Sequence, residues 1–174
     1  MSDSVETAWA GKWLTVKRQG KWEYVSRARG IRAAVILAVD DDRHVLLIEQ
    51  YRVPLGRVCL ELPAGLIGDD HADDTVLGAA NRELIEEAGY SAAHAEDLGE
   101  YHSSPGMVSE SFTLVRLTGL TKVGEGGGIA GEEDITVHRV PLADVPAFVA
   151  ARRAAGIAVD VKILLLLAGT ILAV

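Results

Sequence analysis

The sequence predicts an α/β protein, either an α+β domain or a three-layer α/β/α sandwich around a mixed sheet. Three observations carry this. Short apolar or alternating runs that read as strands fill the first two thirds of the chain, and helical periodicity is confined to a few separate stretches. The chain has 174 residues, 49% hydrophobic and 24% charged, which is the length and composition of one globular domain.

Each element follows from its residues. Residues 13–16 and 21–27 are short strand-like runs joined through Gln19-Gly20, a hairpin signal. Residues 33–39 form a continuous apolar strand that ends in Asp40-Asp41-Asp42, a turn, and 44–49 form the return strand. Residues 58–62 are a further strand, closed by Pro63-Ala64-Gly65. A helix then runs to Glu87. Asp73 or Asp74 can cap it, and Val76, Leu77, Ala80 and Leu84 recur at three- and four-residue intervals as one apolar stripe. Gly89 stands where a helix stops in the left-handed conformation. Strands follow around 93–101, 111–117 and 135–140, then helices over 142–155 and from Asp160 onward. Residues 124–131 hold five glycines in eight positions, which reads as a mobile linker or a lid. No internal repeat is present.

Charge and composition narrow the function. Lys and Arg number 17 against 25 Asp and Glu, a net charge of −8, which disfavours nucleic-acid binding but not a small anion held through a bound cation. The single Cys59 lies in Val58-Cys59-Leu60 and reads as a buried small hydrophobe, in keeping with a reducing cytoplasm. The first six residues are polar and acidic, unlike a signal peptide. The apolar C-terminal run from Ile163 is bounded by Asp160 and Lys162 and falls short of the roughly 20 residues a membrane span needs, so it reads as a buried terminal helix of a soluble protein.

The chemistry is concentrated at the end of the first helix. Glu83, Glu86 and Glu87 are spaced i, i+3 and i+4, so three carboxylates share one face. Hard divalent cations such as Mg²⁺ take such oxygen ligands. On spacing alone a solvated acidic face is the simpler reading.

The surrounding residues reverse that. Gly68-x5-Asp74-x7-Arg82-Glu83-Leu84-x-Glu86-Glu87-x-Gly89-Tyr90 closely resembles the box of the Nudix hydrolases, with Asp74 in place of Glu. The box glycine is either Gly68, by spacing, or Gly65, with an insertion of about three residues after it. Asp74 is the natural candidate to orient Arg82. Glu49-Gln50-Tyr51-Arg52, Leu60-Glu61-Leu62-Pro63-Ala64-Gly65, the segment 104–110 and Gly131-Glu132-Glu133-Asp134-Ile135 extend the resemblance toward the ADP-ribose and ADP-sugar pyrophosphatase branch.

The resemblance implies the Nudix fold over residues 31–174 and an antiparallel β arm over 1–30. It implies a Mg²⁺-dependent hydrolase, with Mn²⁺ as a substitute, that cleaves ADP-ribose or a related ADP-sugar to AMP and a sugar phosphate. Glu83, Glu86, Glu87 and the backbone carbonyl of Ala64 would hold the metal, and Arg52 would grip the diphosphate. Glu133 is the first choice of general base, with Glu132 its neighbour and Glu110 an alternative base or metal ligand. Met107 would line the substrate. Gly11-Lys12-Trp13 and Trp22-Glu23 resemble an arm in which two tryptophans from different subunits stack on adenine, so Trp13, Trp22 and Glu23 would bind the base in a homodimer. His71, His102 and His138 are bystanders. Alternatives are a broader nucleoside diphosphate sugar hydrolase acting on substrates such as GDP-mannose, and a non-catalytic ADP-ribose sensor.

Overall fold

A computed structural model of the chain describes residues 4–28, 32–67, 75–131 and 133–173. The arm is a three-stranded antiparallel sheet, β1 (Glu6–Ala10), β2 (Leu14–Gln19) and β3 (Trp22–Arg27), in that order. The expected hairpin is present. Gln19 pairs with Trp22, and Gly20 takes a φ of 58°, the left-handed turn conformation that glycine adopts without steric cost. β1 is an addition to the expected pair.

Two four-stranded mixed sheets follow. One has the order β7 (Ala64–Ile67), β4 (Arg32–Ala38), β9 (Ser111–Lys122), β8 (Tyr90–His102), with β4 and β9 parallel. The other has the order β10 (Ile135–Pro141), β5 (His44–Arg52), β6 (Arg57–Glu61), β11 (Ala158–Val159), with β11 parallel to β6. The strand after the Asp40–Asp42 turn therefore does not return beside β4. The two touch at one bridge, Val39 to Val45, and β5 then leaves for the second sheet.

β4 explains the layering. Ala34, Ile36 and Ala38 pack in one core with α1 (Val76–Glu83), whereas Val35 lies in a second core with Val145 and Val149 of α2 (Val145–Ala154) and with Ile163. A strand covered on both faces must be apolar throughout, which is what its sequence shows. Helices lie on both sides of the sheets, so the α/β/α sandwich holds.

Three expectations need correction. The cap of α1 is Thr75, whose hydroxyl accepts a hydrogen bond from the Gly78 N–H at 3.1 Å; Asp73 and Asp74 lie outside the described residues. Ala79, Ala80 and Leu84 are fully buried, but Leu77 is exposed, so the stripe runs through Ala79 rather than Leu77. The C-terminal helix α3 (Leu164–Ile171) is not buried. Ile163, just before it, sits in the core and Leu166 and Leu167 pack against it, while Leu164, Leu165, Ile171 and Leu172 are exposed. A short helix that is apolar all round has only one face against the domain, and the remainder stays outside. No helix among the described residues is long and apolar enough to cross a membrane.

Candidate active site

Strand alternation assembles the site. Leu46 on β5 points into the core under α1, so Gln50 and Arg52, an even number of residues on, share that face. On β6, Leu60 belongs to the opposite core, which turns Cys59 and Glu61 toward the α1 side. The first sheet contributes Ala64 and Gly65, at the start of β7.

The helix delivers the carboxylates with a change of pitch. After Glu83, residues Leu84–Ala88 form a π-helical turn that ends on Gly89, left-handed at φ 76°, whose N–H bonds the Ile85 carbonyl. Glu87 is buried, at 5% exposure, and its Oε2 accepts the Ala64 N–H at 2.9 Å. Burial pushes its carboxyl up to about 8, against the counter-effect of the Ala64 N–H, and the charges of Glu83 and Glu133 push the same way. Glu83 lies against Gly65, where any side chain would overlap its carboxylate, and it accepts from Arg82 Nη1 at 3.2 Å. That close approach gives Gly65 a role of its own at the site. Gly68 and Asp74, the other box positions in question, lie outside the described residues, as do Glu132 and His71. Glu86 is half-buried, and its carbonyl accepts the Gly128 N–H at 3.1 Å.

The glycine-rich segment is docked rather than loose. The Gly127 N–H bonds the Glu87 carbonyl at 2.9 Å, and a Cβ on Gly126 would stand 2.5 Å from the Ala88 carbonyl carbon. Gly128 lies against the Glu133 carboxylate with no room for a side chain. Glu133 is thereby held at the helix end, its Oε2 accepting the Ile129 N–H at 3.1 Å and its Oε1 the Gln50 amide at 3.5 Å.

Arg52 meets a partner that sequence reasoning missed. Its Nε and Nη2 donate to the two oxygens of Glu61 at 2.6 and 2.9 Å, and Glu61 is 6% exposed. A lone Glu between Leu60 and Leu62 in a strand was a readable sign of a buried charge, which must have a partner. Gln50 carried no such sign. Cys59 fits its expectation: it is buried, and burial beside Glu61 pushes its thiol up to about 11, far from a thiolate nucleophile.

Glu110 accepts from Arg27 Nε at 2.6 Å, where the arm docks on the 104–110 segment. The Val25 N–H bonds the Met107 carbonyl, the Ser109 N–H bonds the Val25 carbonyl, and the Ser26 and Ser109 hydroxyls meet at 2.7 Å. Between arm and segment is an open cleft of about 290 Å³ lined by Gln19, Trp22, Tyr24, Pro105, Gly106 and Val108 among others. Trp22 and Met107 are 58% and 62% exposed, Glu23 is exposed, and Trp13 is 46% exposed with Lys12 Nζ 4.5 Å over its ring. Both indoles are about half exposed in the single chain. A third, Trp9, folds over Gly11 and is 57% exposed.

Among the described residues, three ligand atoms fall within 4.8 Å of one another at Asp40, Asp42 and His44, at the far end of β4. Arg139 donates to both aspartates there, so that cluster is an ion-paired strand joint. At Glu83, Glu87 and Glu133 the donors are all oxygen and one carboxyl is buried and hard to ionise alone, an environment that fits a hard divalent cation.

A family model described as NUDIX domain matches residues 29–158. The chain belongs to the NUDIX domain family. This Nudix chain is 37% identical to the ADP-ribose pyrophosphatase of Mycobacterium tuberculosis (strain ATCC 25618 / H37Rv) over 112 residues, 64% of its own length and 53% of that protein. It is 35% identical to the GDP-mannose pyrophosphatase of Cronobacter sakazakii (strain ATCC BAA-894) over 125 residues, 67% of this chain and 62% of that one. It thus spans roughly half to two thirds of the length of these curated relatives. A crystal structure of an ADP compounds hydrolase superposes with a TM-score of 0.68 at 26% identity, covering 84% of this chain and 80% of the other.

Proposed function

We propose that this Nudix protein is a Mg²⁺-dependent hydrolase that cleaves the diphosphate of ADP-ribose or a related ADP-sugar, giving AMP and a sugar phosphate. The observation that carries this is the convergence of Glu83, the buried Glu87 and Glu133 with Arg52 at one helix end. The similarity to an ADP-ribose pyrophosphatase and an ADP compounds hydrolase supports the substrate class.

Glu83, Glu86, Glu87 and the Ala64 carbonyl are the proposed metal ligands, with Gly65 giving Glu83 its room. A divalent cation held by these residues would neutralise diphosphate charge and lower the pKa of water. Arg52 presents a guanidinium to the diphosphate. Glu133 takes the proton of the attacking water as the bond between a phosphorus and the bridging oxygen breaks. Its contacts to Ile129 and Gln50 orient the carboxylate without substrate, so the role we assign to the glycine-rich segment is to position the base rather than to close over it. The pairing of Glu110 with Arg27 supports Glu133 over Glu110 as base. Residues 1–30 are the proposed base-binding arm and 31–174 the catalytic domain. Trp13, Trp22 and Glu23, exposed on the arm, support a homodimer in which the arms of two copies enclose the adenine.

The similarity to a GDP-mannose pyrophosphatase makes base selectivity the point to test. A panel of nucleoside diphosphate sugars with Mg²⁺, products identified by mass, is expected to give AMP and a sugar phosphate most rapidly from ADP-ribose or another ADP-sugar. Preference for GDP-mannose would move the substrate, and no turnover of any member would overturn the reading.

A further inference from the structure

We infer that Glu61 is a positioning residue for substrate binding, which draws Arg52 back from the end of its strand and holds its guanidinium at the carboxylate cluster. The inference rests on the reading of Arg52 as the diphosphate ligand. It begins with register. In the antiparallel pair of β5 and β6, Arg52 stands opposite Arg57 and Glu61 stands opposite Ile48. Glu61 is thus four residues back along the ladder from Arg52, roughly 13 Å at strand spacing. An arginine at that strand end, with its side chain 40% exposed beside the exposed Val53 and Leu55, has open solvent in front of it. Instead the side chain lies back along the face, and its guanidinium meets Glu61 with two hydrogen bonds.

The geometry divides the guanidinium in two. Glu61 takes Nε–H and one N–H of Nη2. Both N–H groups of Nη1 and the second of Nη2 remain for an anion, on the part of the fork that Glu61 does not cover. The charge of Glu87 bears on Arg52 in this position, so the guanidinium stands at the site and not at the strand end. A carboxylate buried to 6% exposure is costly unless paired, and here its partner is the one cation assigned to the substrate. The asymmetry in exposure is what makes this pairing a positioning device. Glu61 has nowhere to go, whereas Arg52 is free to swing into solvent once the carboxylate is removed. Loss of Glu61 therefore misplaces Arg52 rather than leaving it buried and unpaired, and the effect falls on substrate affinity.

A double-mutant cycle tests this, with ADP-ribose and saturating Mg²⁺. Glu61→Gln, which offers the guanidinium one acceptor and one opposing N–H₂ group, is expected to raise KM about tenfold with kcat changed by less than about threefold. In an Arg52→Ala background the same substitution should move KM by less than about twofold, because the group it acts through is gone. Glu61→Asp, which keeps the charge but is one methylene shorter, should give an intermediate KM when Arg52 is present, and it carries the test if the glutamine variant melts below assay temperature. An equal rise in KM from Glu61→Gln with and without Arg52, or a loss confined to kcat, would overturn the positioning role. An Arg52→Ala variant with unchanged KM would instead remove Arg52 from the diphosphate site, a failure of the underlying reading that the cycle shows separately.

Discussion

The two ends of the candidate site are built on opposite terms. At the helix end, four carboxylates have contacts within the same chain: Glu87 with the Ala64 N–H, Glu83 with Arg82, Glu133 with Ile129 and Gln50, Glu61 with Arg52. At the arm end, the backbone and hydroxyls are paired with the 104–110 segment, but Trp9, Trp13 and Trp22 are about half exposed or more. Large aromatic rings left outside are costly to keep in water and bind well to another apolar face. Under the proposed function, the contrast means that one chain would complete the charge-handling half of the site and leave the base-handling half open. Electrostatic parts must be preorganised to work, while stacking parts gain most when the base itself supplies the burial.

The largest effect should come from the closed half. Glu87→Gln is expected to lower kcat by about 10²-fold or more, as for loss of an electrostatic stabiliser. Because burial already disfavours ionised Glu87, the neutral isostere should melt no lower than the parent without metal. Near-parental kinetics with saturating Mg²⁺ would take Glu87 out of the ligand set. Glu133→Gln should follow, with kcat down by about 10²-fold and KM little changed, the pattern of a lost general base. Glu110→Gln should do less, since its partner is Arg27; the reverse ranking would move the base to the arm side and erase the division between the halves.

The open half should respond in KM. Trp13→Ala and Trp22→Ala are each expected to weaken binding by about 1–3 kcal/mol, the range for a base stacked on an aromatic ring. Thermal stability should barely move, because neither ring is buried in its own domain. A drop in melting temperature with unchanged KM would return the rings to a purely structural role.

The last effect concerns pH and is read in stability rather than in turnover. The folded chain keeps a proton on Glu87 up to about 8, whereas an unfolded glutamate releases it near 4.5. In that window the unfolded state binds fewer protons, so the stability of the metal-free protein falls as pH rises through it. Melting in EDTA between these limits should show that decline, and Mg²⁺, if Glu87 is its ligand as proposed, should offset it most at the upper end. A flat profile in EDTA would mean that Glu87 is not the strained member of the cluster.

Much of the closed half was legible because it is local. The glycine–arginine–glutamate spacing of residues 82–89 lies within one helix and its cap, and the strand of residues 33–39 announced burial on both faces by its unbroken apolar run. The pairing of strands was not legible. β4 and β5 are joined by a tight turn that favours a hairpin, yet β4 is claimed on both sides by β7 and β9. The π turn was hidden as well. Spacing arguments assume α-helical pitch, whereas the residues after Glu83 follow a wider π turn, along which the charge of Glu83 still bears on Glu87. The pairing of Arg52 with Glu61 depends on a ladder register that sequence does not fix, although the buried charge itself could be suspected. The glycines of residues 124–131 suggested mobility, but Gly126 and Gly128 owe their identity to close packing on Ala88 and Glu133. For the arm, the hairpin was readable from Gln19-Gly20, whereas β1, with its shifted register between Thr7 and Trp9, carries only a weak alternation.

The central claim, that one chain holds a complete carboxylate cluster and only half of a base site, is tested most directly by the mass of the active species. Light scattering coupled to an ADP-ribose assay across the elution profile is expected to place turnover in a species of twice the 18.5 kDa chain mass. The Trp13→Ala and Trp22→Ala variants should retain that mass with raised KM. Full activity at the mass of a single chain would contradict the account.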